Sequence, residues 1–189
     1  MYCTCCINPK ELKLILEFRL LWNQHAEWTR MAINAIIFQL PNKQQEINRL
    51  LRNPVDFGKA LEVYYGRKRA HQFTALLTEH LVLAADMIEA MMAGNTQKVQ
   101  EIRCQWYQNG KEIAEFLGCT NPYWSYTEWK EMFFIHLRLV NDLAVTLLEN
   151  RYEENIQVYD TLELEALEMA DVMARGILRE FPRRFYIKC

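Results

Sequence analysis

The chain is short of glycine and proline, has no run of like charge, and has no long uncharged apolar stretch; each shortage removes a class of protein. Six glycines and five prolines in 189 residues are too few for the many tight turns of an all-β fold and leave long helices as the simplest reading. Twenty-two Lys and Arg face 24 Asp and Glu, a formal charge of −2. They are spread without clusters, so there is no electrostatic footprint for DNA or RNA. Even the greasiest segment, Leu76 to Met92, is interrupted by Glu79, Asp86 and Glu89, which breaks the roughly 18-residue apolar span a bilayer crossing needs. Met1-Tyr2-Cys3-Thr4-Cys5-Cys6 has neither the basic start nor the apolar run of a secretory signal. The expected compartment is the cytoplasm, where six cysteines stay thiols. Nucleic acid and membrane are thereby excluded as partners; a homo-oligomer is not.

Chemical signatures are also missing. Cys3, Cys5 and Cys6 lack the second spaced pair of a structural zinc site, and no base is assigned to Cys104 or Cys119. The chain contains no G-x-x-x-x-G-K-S/T loop, no G-x-G-x-x-G after a strand and no G-x-S-x-G elbow, so nucleotide and serine-hydrolase chemistry lack their usual parts.

What remains is helical periodicity. Asn8-Pro9-Lys10-Glu11 opens a helix expected to run to Leu40, before Pro41. One or two short helices follow, ending at Tyr65-Gly66. Long helices are then expected from about Lys68 to Ala93, Gln97 to Leu117, Ser125 to Asn150 and Glu153 to Glu180. The expected fold is all-α: an antiparallel bundle of about five long helices plus short ones. Residues 1–8 form a cysteine-rich end, 9–182 one bundle domain and 183–189 a polar tail.

An offset of 56 residues aligns the second and third long helices with the fourth and fifth without a gap, pairing the two H-L-x-L-x-x-D words at His80 and His136. A weaker echo 55 residues earlier contains His25. Each of these histidines lies near the middle of a helix, inside an apolar stripe, so in a bundle they would meet at one level. Folding the hairpins about their turns sets His136 opposite Glu165 and His80 opposite Asn109. On the last helix Glu163 points between Tyr159 and Ile156 and is the acid best aimed inward, with Glu165 on the margin. Trp22 and Trp28 flank His25 as a dry wall.

Buried imidazoles among Leu and Met need partners or a metal. His25, His80 and His136 with Glu163 or Glu165 form a candidate shell for one transition-metal ion, iron or manganese favoured and zinc admissible. For a second ion only Glu79, Asp86, Asp142 and Asp160 are at hand. The alternative is that each histidine bonds a neighbour: His25 to Thr29, His80 towards Glu79, His136 to Glu163 or Glu165. The chain would then be a non-catalytic helical interaction or small-ligand-binding protein. His71 reads as a surface residue.

Leu21-Trp22-Asn23-Gln24-His25-Ala26-Glu27-Trp28-Thr29-Arg30, Leu77-Thr78-Glu79-His80-Leu81, Asn121-Pro122-Tyr123-Trp124 and Ala166-Leu167-Glu168-Met169-Ala170-Asp171 resemble a family of uncharacterised helical proteins from clostridia and relatives. The resemblance covers nearly the whole chain after its cysteine-rich start and implies a helical fold without an activity. Through histidines on facing helices the chain is also loosely similar to hemerythrin-like and ferritin-like bundles. It lacks their E-x-x-H and H-x-x-x-H spacings, so the expected site is mononuclear or atypical, with a redox, oxygen-related or metal-sensing role.

Overall fold

A computed structural model describes residues 8–186, and these residues form seven helices and no strand. Helix α1 (Pro9–Ile37) starts where the Asn8 side chain accepts a hydrogen bond from the Lys10 amide, satisfying one of the free donors of the first turn. It ends three residues before Leu40, because Gln39 turns into the left-handed region (φ 50). Helix α2 (Lys43–Leu50) leads into α3 (Asn53–Met92), which is broken at Gly66. Helices α4 (Thr96–Thr120), α5 (Tyr126–Leu148) and α6 (Tyr152–Glu180) follow. Gly118–Thr120, expected as loop, belongs to α4. Asn95 and Ser125 cap α4 and α5 by accepting from the amides of Lys98 and Glu128.

Gly66 has φ 77 and ψ 166, a conformation essentially reserved for glycine, and it folds α3 back on itself. Thr74 Oγ1 donates to the Pro54 carbonyl at 3.2 Å, and a Cβ on Gly58 would run into Thr74. Residues 53–65 therefore descend beside the ascending 67–92. The ends confirm the directions of the rest. Lys43 reaches Glu89 at the top (3.5 Å), Arg69 reaches the Thr120 carbonyl at the bottom (3.4 Å), and Tyr65 donates to Glu180 there (3.1 Å). Arg19 clamps Asp171 with two bonds of 2.7 and 2.6 Å between α1 and α6. The bundle is thus three helical hairpins, whose ascending helices are α1, residues 67–92 and α5. Their descending partners are residues 53–65, α4 and α6.

Two expectations change. Helix α7 (Pro182–Phe185) buries Phe185 beside Tyr64, and Asn8 donates to the Phe185 carbonyl at 2.6 Å, so the bundle extends past residue 182 and residues 183–186 are not a polar tail. Ile156 is exposed; the inward residue at the start of α6 is Asn155, which donates to the Leu143 carbonyl and Thr146 Oγ1. Further along α6 Leu162, Ala166, Met169, Ala170, Met173 and Ile177 are buried as the helical periodicity predicts, so the departure is confined to its first turn. The Cys3, Cys5 and Cys6 cluster lies outside the described residues.

Candidate functional site

His25, His80 and His136 project from the three ascending helices into one layer of the core. Each is at most 2% exposed. Ring centres of His25 and His136 are 5.4 Å apart, and those of His80 and His136 6.3 Å. Trp22 lies against both His25 and His136 (5.6 and 6.5 Å), and Trp106 against His80 (5.4 Å). Trp28 is not part of this wall. It packs with Ala32, Leu50 and Leu81 in a satellite cluster, beneath the guanidinium of Arg49.

Each histidine is held from the descending helix of its own hairpin. Nδ1 of His25 donates to Asn53 Oδ1 (3.1 Å), Nδ1 of His80 to Asn109 Oδ1 (3.0 Å), and Nδ1 of His136 to Glu165 Oε2 (2.8 Å). The donor direction follows from the surroundings. Asn53 Nδ2 donates to the Leu21 carbonyl and Asn109 Nδ2 to the Leu76 carbonyl. A carbonyl can only accept, so each amide must present its oxygen to the imidazole, and that imidazole must carry its proton on Nδ1. A carboxylate imposes the same on His136. In the neutral ring this leaves a lone pair on Nε2, and no Nε2 of the three makes a hydrogen bond to a described residue.

The electrostatics favour neutral rings for His25 and His80. Burial, then the proximity of His136 and His80, holds His25 well below the ordinary histidine value of 6.5, against a smaller upward pull from Asn53. Burial and then His136 lower His80 to about 3, with Asn109 opposing. Other polar atoms around the layer are also unpaired. The indole nitrogens of Trp22, Trp106 and Trp129 and Oε1 of Glu165 are buried without a partner among the described residues. A buried indole N–H calls for an acceptor.

The expected positions sort clearly. His136 faces Glu165 and His80 faces Asn109, as folding about the turns requires. Glu165 lies behind His136, on Nδ1, and not in the space a shared ion would occupy. Glu163 is half-buried beside Tyr159 and bonds none of the three histidines. Thr29 does not partner His25; its hydroxyl is buried and unpaired among the described residues. Glu79, Asp86 and Asp160 are exposed and Asp142 bonds Asn141, so they offer no bridge for a second ion. His71, Cys104 and Cys119 are at the surface. The residue that sequence reasoning missed is Asn53, although it stands 56 residues before Asn109 as Asn109 stands before Glu165.

As the side chains stand, no group of three or more His, Cys, Asp or Glu among the described residues is arranged to hold a metal ion. Three imidazoles on one tetrahedral ion, with metal–nitrogen bonds of about 2.0 Å, would place ring centres roughly 5 Å apart. His25 and His136 are close to that spacing, whereas His80, 6.3 Å from His136, would have to move inward. No family model matches the chain, and no curated protein or solved structure matches it either. Among the described residues no helix is long and apolar enough to cross a membrane.

Proposed function

We propose that the layer binds one divalent transition-metal ion through Nε2 of His25, His80 and His136, with iron or manganese favoured over zinc. The observation that carries this reading is the common tautomer. Three separate hairpins each supply an oxygen that fixes a proton on Nδ1, which leaves three Nε2 atoms in the core to which no described residue gives a hydrogen bond. Protein oxygens on the far nitrogen of metal-bound histidines serve this purpose elsewhere: they orient the ring and raise its basicity. Three nitrogens leave at least one coordination position open. The indole N–H groups of Trp22 and Trp106 beside the rings suit an ion-bound water or small oxygen ligand, which has the acceptors they need. A redox, oxygen-related or metal-sensing role fits such a centre.

Elemental analysis of protein purified without added metal tests the reading. The expected result is close to one transition-metal ion per chain. A metal-free protein that also fails to take up iron, manganese or zinc would leave the histidine layer as a device that sets helix register, the role polar core groups play in some bundles.

A further inference from the structure

The three clamps are unequal. Asn53 and Asn109 do the same two things: the amide oxygen takes the imidazole proton, and the amide nitrogen donates to the carbonyl four residues before the histidine, that of Leu21 or Leu76. By the same register the carbonyl in the third hairpin is that of Met132. The Glu165 side chain has no N–H to offer it, and its Oε1 is buried with no partner among the described residues. An amide at this position would complete the pattern of the other two hairpins, and the carboxylate breaks it. An unsatisfied buried acceptor next to a site otherwise built by repetition is a local inconsistency of the kind functional sites retain.

We propose that Glu165 fits the layer to a dication: its negative charge is kept behind His136, in place of the amide the scaffold would accept, at the expense of stability. The inference rests on the metal reading of the layer. Three neutral imidazoles bring no charge to offset two positive charges in a low-dielectric core, whereas a carboxylate on Nδ1 of His136 brings one and makes Nε2 a stronger donor to the ion. Glu165 is thus a positioning and charge-setting residue that touches the ion only through His136.

The isosteric substitution Glu165→Gln separates this role from a purely structural one. In the metal-free protein the thermal midpoint should rise by about 2 to 8 °C, because the orphaned acceptor is replaced by a donor. The affinity for zinc, titrated alone, should fall about 10- to 100-fold. Nitrogen-15 spectra of the imidazoles should show His136 still protonated on Nδ1. A lower midpoint, a lost Nδ1 proton or an unchanged zinc affinity would each overturn the inference. Wild-type protein that binds no zinc, iron or manganese would remove the metal reading beneath it. That result is distinct from a wild type and a variant that bind zinc equally well.

Discussion

Between pH 6.5 and about 4 the metal-free protein should lose a substantial part of its stability, in a transition steeper than surface carboxylates alone would give. The reason is the burial of His25 and His80, which are held below 6.5, His80 to about 3. A histidine whose folded pKa is depressed binds fewer protons folded than unfolded. Its contribution is therefore complete above the unfolded value and is lost progressively as the pH falls from there towards the folded value. Each such group removes roughly 1.4 kcal/mol per pH unit inside that window. His80 alone removes on the order of 3 kcal/mol by about pH 4, and His25 acts in the same direction; a typical domain has a total stability of about 5 to 15 kcal/mol. Urea unfolding at a series of pH values measures this directly. A stability that stays flat from pH 7 to 4.5 would mean that the rings are hydrated, or already charged, in the native state.

Removing a single imidazole should abolish metal retention. His80→Ala and His136→Ala each delete one of three nitrogens, and the loss of affinity should exceed the roughly 100-fold that follows loss of a group behind a ligand. Stability should fall as well, by about 2 to 5 kcal/mol, from the cavity and from the oxygen of Asn109 or Glu165 left without its donor. The corresponding Leu variants keep more of the side-chain volume and separate the two effects: they should recover part of the stability and none of the metal. Variants that are less stable yet carry the wild-type metal content would show that these histidines are not the ligands.

The layer itself was legible in the sequence because hairpin geometry depends on little more than turn positions and helical rise. Folding about Asn150 and about Gly94 was enough to place His136 against Glu165 and His80 against Asn109. The first hairpin was not legible in the same way. Its descending arm follows α2 and an irregular connection, and it ends in a reversal at Gly66 inside what the backbone continues as one helix. Asn53 could be reached only through its 56-residue spacing from Asn109. Glu163 is aimed inward ahead of Glu165 only if Ile156 is buried. Hydrophobicity points the wrong way there, since Asn155 is the residue that bridges to α5 while Ile156 faces solvent. Trp28 shows a related limit. A helix with two apolar faces gives no hint from periodicity alone which face meets the histidines and which meets α2. Phe185 follows Arg183 and Arg184 and so reads as part of a polar tail, although one aromatic ring against Tyr64 is enough to dock the last turn.

The most direct test of the central claim is the X-ray absorption spectrum of the metal-loaded protein at the edge of the bound ion. Three imidazole nitrogens at about 2.0 to 2.1 Å, with the outer-ring scattering that imidazoles produce, are the predicted result. An ion surrounded by oxygen alone, or no ion to observe after loading and desalting, would contradict it.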